Sequence, residues 1–302
     1  TEQKMNEYIT PSNMEGYLVA DYNTAFALLT NKDEYQFNVL LAPAVGLDSA
    51  AATTFISVAE DRGDAFAPVH TGVYGTTITA ATQTAAGQSS NYSATYFPWV
   101  QLFNSNLGKN VWATPTTVMG GVLAFNDQVG AEWFAPAGLN RGSLRGAIKL
   151  AFNPNKADRD ALYQNRINPI VSFPGSGVTL FGDKTALASP SAFDRINVRR
   201  LFLNVEKRAR GLGEGVLFEQ NDATTRAGFS TALNSYLSEV QARRGVTDFL
   251  VICDESNNTP DIIDRNEFVA EVYVKPTRSI NFITITCTAT KPGTTFSEGV
   301  GR

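Results

Sequence analysis

Between residues 221 and 275 the chain changes from one hydrophobic period to another, and few arrangements bury both. Phe229, Leu233, Tyr236, Leu237 and Val240 fall at i, i+4, i+7, i+8 and i+11, a single apolar stripe on a helix. Asn221-Asp222-Ala223-Thr224 supplies capping side chains ahead of it. Arg243 and Arg244 suit its negative C-terminal end, and Gly245 suits the residue that closes it. Then the period drops to two. Residues 249–253 (FLVIC) read as a strand, and Thr259-Pro260 opens a short helical turn. In residues 267–275 (EFVAEVYVK), Phe268, Ala270, Val272 and Val274 face one way, while Glu271 and Lys275 face the other. After Pro276-Thr277-Arg278, residues 279–288 (SINFITITCT) read as a further strand, followed by a Gly-containing tail.

Upstream the pattern alternates between helix-like and strand-like stretches. Residues 23–29 read as a short helix, and residues 37–42 (FNVLLA) as a buried strand stopped by Pro43. Residues 49–60 carry Phe55, Ile56 and Ala59 at helical spacing, and residues 65–69 follow as a strand. Residues 71–88 are rich in Thr, Ala and Gly with little periodicity, residues 92–102 are aromatic, and residues 117–125 are helical in character. A turn at Pro136-Ala137-Gly138, a strand at 178–181, a helix over 191–209 with Phe202 and Val205 inward, and a short strand at 216–219 complete the reading. Strands separated by helices favour crossovers and a sheet covered on both faces. The expected architecture is therefore a larger α/β sandwich domain over residues 1–183 and a smaller α+β domain over residues 184–302.

Composition narrows the function classes. No apolar run approaches the roughly 18–20 residues of a membrane span. The net charge of -4 and pI of about 5.2 leave no whole-chain footprint for nucleic acid. Charge is uneven: residues 1–150 hold 7 Lys/Arg against 12 Asp/Glu, and residues 151–302 hold 18 against 17. One basic patch stands out, with Arg195, Arg199, Arg200, Lys207, Arg208 and Arg210 against Asp194 and Glu206. Cys253 and Cys287 are too few for a disulfide framework and read as small buried strand residues.

Catalytic patterns fail on spacing. Gly177-Val178-Thr179-Leu180-Phe181-Gly182-Asp183-Lys184-Thr185 resembles a phosphate-binding loop, but Asp183 intrudes where the lysine belongs and sets a negative charge beside the anion. His70, the single histidine, has no nucleophile-elbow pattern nearby and reads as a strand-end or loop residue. Asp254, Glu255, Asp261 and Asp264 do not match a calcium loop, and the last two suit the first turn of a short helix. The expectation is a protein that is not an enzyme and has no cofactor or metal.

Several strings in fixed order carry a resemblance. They are residues 162–170 (LYQNRINPI), 182–185 (GDKT), 191–202 (SAFDRINVRRLF), 218–222 (FEQND), 243–260 (RRGVTDFLVICDESNNTP) and 263–283 (IDRNEFVAEVYVKPTRSINFI). Upstream, residues 89–101 (SSNYSATYFPWVQ) and 133–142 (WFAPAGLNRG) extend it across most of the chain. Together they resemble the tail sheath proteins of contractile bacteriophages. Members of that family extend further toward the N-terminus, so the N-terminal part of the larger domain is expected to be missing here. They also carry an acidic residue near the position of His70 and consecutive prolines near Pro115, which this chain lacks.

The resemblance implies a subunit that polymerises helically around a tail tube and contracts to drive the tube through the host envelope. Implied partners are copies of itself, the tail tube protein, and the baseplate and tail terminator proteins, without direct nucleic-acid contact or membrane insertion. The implied setting is the virion tail, with assembly in the host cytoplasm. It further implies an innermost C-terminal domain whose sheet is completed by strands from neighbouring subunits. On this reading Arg199, Arg200, Lys207 and Arg208 are the candidate tube-facing residues, and Ile280, Phe282, Ile283 and Ile285 the candidate strand-exchange residues. A sheath from a related device, a tailocin or a type VI secretion system, shares these implications; a hydrolase is the remote alternative.

Overall fold

A computed structural model describes residues 3–4 and 18–281. In chain order the first half forms β1 (Gln3–Lys4), α1 (Val19–Leu28), α2 (Ala52–Arg62), β2 (Ala67–His70), α3 (Ile78–Ala86), β3 (Ser93–Phe97), β4 (Val100–Asn104), β5 (Lys109–Ala113) and α4 (Pro115–Val129). There follow α5 (Gly138–Arg141), β6 (Ala147–Leu150), α6 (Lys156–Gln164), β7 (Ile167–Phe173) and β8 (Gly177–Leu180). A single 3-10 turn (Ala192–Asp194) leads into α7 (Ile196–Glu214), then α8 (Ala223–Ala242), β9 (Val246–Ile252), α9 (Pro260–Asp264) and β10 (Glu271–Pro276).

The central sheet runs β2-β3-β7-β8, with β2, β3 and β7 parallel and β8 folded back antiparallel on β7. Every residue of β2 and β3 is buried, as parallel strands covered on both faces require. Alternation along β3 divides the contacts. Ala94 and Tyr96 meet Met119, Val122 and Leu123 of α4, while Phe97, with Ile167 of β7, meets Ala81 and Ala85 of α3 and Leu162 of α6. A second sheet, β1-β5-β4-β6, extends this body, and α1 and α2 close a further cluster around Phe26 and Phe55.

The C-terminal elements pack α8 against the antiparallel pair β9–β10. The pairs Val251–Val272 and Phe249–Val274 face α8, and Leu250–Tyr273 and Asp248–Lys275 face outward. The helical stripe read from sequence is the buried face: Phe229, Leu233, Leu237 and Val240 are all in that core, with Tyr236 partly buried against it.

Local expectations differ in four places. Residues 37–42 form only a single bridge, Val39 to Phe66, and leave the sheet before Pro43. Residues 71–88 contain α3, whose buried side is two alanines and so carries almost no hydrophobic period; Thr77 caps it by accepting from the Ala80 N–H at 3.3 Å. Residues 216–219 are a turn and not a strand. At the end of α8 the left-handed residue is Arg244, at φ 65°, and not Gly245. The Gly245 N–H donates to Val240 O at 2.8 Å and Arg244 N–H to Gln241 O at 2.9 Å, a Schellman closure. Gly245 is needed for proximity, since a Cβ there would lie 2.6 Å from Val240 Cγ1.

Candidate functional site

The structure separates the four cations expected to face a tube. Arg199 and Arg200 are 3% and 2% exposed and are corrected to interior residues. They sit in the half of α7 that inserts Ile196 and Leu203 into the central core. An unpaired buried charge costs several kcal/mol, and both guanidinium groups are paired. Arg200 makes two parallel bonds to Asp127, at 2.8 and 2.7 Å, matching fork to carboxylate. Arg199 reaches Glu206 at 3.0 and 3.1 Å and lies over the rings of Tyr92 and Phe193. Lys207 and Arg208, with Arg210, are exposed on the later turns, where Arg208 also lies over the Tyr236 ring.

Asp183, read from sequence as the residue that spoils a phosphate loop, is the hub of a polar junction. It is 2% exposed and accepts from the Tyr163 hydroxyl at 2.8 Å. Arg195 donates to that hydroxyl at 2.5 Å and approaches Asp183 at 3.5 Å. Burial, and then the Asp183 carboxylate, push the Tyr163 pKa upward, so the phenol stays protonated and remains a donor. The lysine of the loop is engaged elsewhere. The Lys184 N–H donates to Asn168 Oδ1 at 2.8 Å, Asn168 Nδ2 returns a bond to Lys184 O at 2.7 Å, and Lys184 Nζ donates to Tyr163 O at 2.8 Å. A Cβ on Gly182 would lie 2.7 Å from Asn168 Oδ1, so this glycine serves close passage against β7. No spacing rule marks such a hub in sequence; Asp183 becomes visible only when β7, α6 and the start of α7 converge.

His70 ends β2, 2% exposed, with Nδ1 at 3.1 Å from the Thr116 hydroxyl. Burial lowers its pKa to about 3, and the ring is neutral. Asp254 accepts from the backbone and hydroxyl of Ser256 at 2.8 and 2.6 Å, a turn cap, while Asp261 lies in the first turn of α9. Among the described residues no group of three or more His, Cys, Asp or Glu is placed to hold a metal ion, and no helix is long and apolar enough to cross a membrane. Cys253 is buried just past β9, and Cys287 lies outside the described residues.

Of the strand-exchange set, Ile280 follows β10 and is 85% exposed, whereas Phe282, Ile283 and Ile285 lie outside the described residues. Among the described residues β9 and β10 pair only with each other, so each offers an outer edge. Two residues to which the sequence assigned no role, Glu132 and Trp133, tie this unit to the body. Trp133 Nε1 donates to Arg243 O at 3.1 Å, and Glu132 accepts from Asn38 and from Asn204, each at 3.0 Å.

Residues 15–186 match the phage tail sheath protein central domain, and residues 188–290 match the phage tail sheath C-terminal domain. The tail sheath protein of Vibrio phage KVP40 is 49% identical over 193 residues, 64% of this chain and 29% of that protein. That of Enterobacteria phage T4 is 46% identical over 192 residues, again 64% of this chain and 29% of that protein. The chain thus spans less than a third of the curated relatives it matches. Its fold is similar to that of the PVC sheath complex of an extracellular contractile injection system in its contracted state, with a TM-score of 0.74 at 21% identity over 95% of this chain and 86% of that one. The helical sheath of the anti-feeding prophage in its contracted state gives a TM-score of 0.73 at 21% identity, over 90% of this chain and 76% of that one. With a mixed α/β fold and both domain matches in order along it, the chain belongs to the phage tail sheath protein family.

Proposed function

We propose that this protein is a structural subunit of a contractile phage tail sheath, which polymerises helically around the tail tube and contracts to drive it through the host envelope. The observation that carries this reading is the pair of sheath-domain matches in order over residues 15–186 and 188–290. The work of contraction comes from different subunit contacts in two assembly states, with no enzymatic step or cofactor. The stretch resembling a phosphate loop engages its Lys184 N–H and ammonium in internal bonds.

In this reading residues 1–183 and 184–302 are the two domains, and the second lies against the tube. Lys207 and Arg208 meet acidic groups on the tube through contacts that are weak singly and screened by salt. The open edges of β9 and β10 receive strands from neighbouring subunits, and the segment from Ile280 onward supplies one in return. Baseplate and tail terminator proteins bound the assembly, which forms in the host cytoplasm and ends in the virion. A second reading, a sheath of a related injection device, is favoured by the likeness to the PVC and anti-feeding prophage sheaths; a neighbouring set of capsid genes decides for the phage.

Negative-stain micrographs of the purified protein are expected to show rings or tubes of constant diameter. A species that stays monomeric at every concentration and in the presence of tubes overturns the reading. Truncation before Arg278 is expected to leave soluble subunits that do not polymerise, and normal-length sheaths from that truncation overturn the strand-exchange part.

A further inference from the structure

Between α5, α6 and the loop after β8 lies a cleft of about 720 Å³, and residues 277–281 form one of its walls. The way these residues are held differs from the strand before them. The Thr277 N–H donates to Gly245 O at 3.1 Å, and Asn197 Nδ2 donates to Thr277 O at 3.3 Å. From there on, among the described residues, the segment is tied to the body through side chains. The Ser279 hydroxyl donates to Asp183 Oδ2 at 2.5 Å, and Asn281 Nδ2 lies 2.8 Å from both Asp183 Oδ1 and the Tyr163 hydroxyl. Ile280, between them, points to solvent at 85% exposure, so the segment is read by alternate residues as an extended chain is.

We propose that Asp183 and Tyr163, with Asn197 at the base, form a seat for residues 277–281, a latch that sets where the following chain leaves the body. Two of the groups that hold the Asp183 carboxylate belong to the body: Tyr163 at the end of α6 and Arg195 just ahead of α7. The strap completes the seat. With the strap in place, Asp183 is 2% exposed, and among the described residues Ser279 is the donor to its Oδ2. Asn197 carries a reserve. Asn168 and Asn258 each close a two-bond ring on the backbone of a single residue. The buried Asn197 uses its Nδ2 on Trp133 O and Thr277 O, and among the described residues its Oδ1 has no hydrogen-bond partner. A latch of a few side-chain bonds, with no strand ladder behind it, opens without unfolding β10.

Arg278 makes the seat measurable, because trypsin cuts the Arg278–Ser279 bond only when the flanking residues leave the body. In the full chain under native conditions, Ser279→Ala with Asn281→Ala is expected to raise the rate of that cut about tenfold, the loss of one or two net hydrogen bonds. Cleavage after the exposed Arg265, in the turn after α9 and away from this cleft, serves as the internal control and is expected to be unchanged. Asp183→Asn tests the seat from the other side, and Tyr163→Phe takes its place should that variant not fold. Equal cleavage rates at Arg278 in the wild type and the Ser279/Asn281 variant overturn the proposal, as does faster cleavage that rises equally at Arg265.

Discussion

Burial holds the His70 ring neutral beside Thr116, and this makes folding depend on pH with a definite sign. The unfolded chain protonates His70 near 6.5, whereas the folded protein does so near 3, so between those values the unfolded state binds more protons. The contribution of the neutral ring is full above pH 6.5 and is lost as pH falls toward 3, at about 1.4 kcal/mol per pH unit. Denaturant midpoints at pH 7 and pH 5 are expected to differ less in His70→Gln than in the wild type; equal slopes count against a buried neutral histidine. Asn258 is a second residue whose role is set by its surroundings. It is 1% exposed, accepts from the Val269 N–H at 2.8 Å, and donates to Val269 O at 2.8 Å and Asp254 O at 3.2 Å. Asn258→Ala takes from the half-buried Val269 N–H and C=O their side-chain partner and is expected to cost about 1–3 kcal/mol in chemical denaturation. An effect under about 0.5 kcal/mol, the size usual for a surface change, contradicts the clamp.

At the scale of elements, α7 divides along its length. Its first turns belong to the body, with Arg200 locked on Asp127 and Ile196 and Leu203 in the central core. Its later turns expose Lys207 and Arg208. Charge reversal there, Lys207→Glu with Arg208→Glu, is expected to change stability by no more than about 0.5 kcal/mol while weakening assembly on tubes in a salt-dependent way. Sedimentation of sheath with purified tubes at low and high salt reads this, and undiminished co-sedimentation rejects the tube-facing role. Arg200→Met, by contrast, strands Asp127 and is expected to cost about 3 kcal/mol, because only the guanidinium end is fully buried; Arg200→Met with Asp127→Leu is expected to recover most of that. Thermal unfolding of the two variants distinguishes a stranded charge from lost packing.

Over the whole molecule the cores are interlocked. Trp133 and Ala131, from the first half of the chain, sit in the core of α8, β9 and β10, while Ile196 and Leu203 of α7 sit in the central one. Asn204 on α7 bonds to Glu132, and Tyr236 on α8 bonds to Asn204, so the link runs from body to α8 through polar groups as well. Calorimetry is expected to show one cooperative transition in the wild type. Trp133→Ala removes a large buried ring and the bond to Arg243 O, at an expected cost of about 3–5 kcal/mol, and is expected to separate the C-terminal unit into an earlier transition. A wild type that already melts in two steps contradicts the interlock.

Periodicity alone determined the C-terminal unit: the stripe of α8 and the alternation of β10 are local patterns, and each buries the face that the pattern marks. Residue order along the chain likewise carried the family, because short strings in fixed sequence need no coordinates to be compared. Only the tertiary structure decided the rest. α3 was illegible because two alanines bury too little area to stand out from their neighbours. Arg200 read as a surface cation because its partner Asp127 lies 73 residues away and cannot be paired by spacing, and Arg199 because the Tyr92 ring that covers it comes from far upstream, although its charge partner Glu206 lies on the same helix. Asp183 read as a flaw in a motif, and became a hub once Tyr163, Arg195, Ser279 and Asn281 converged on it. A local pattern fixes which face of an element is apolar, while the partner of a charge depends on which distant elements the fold brings beside it.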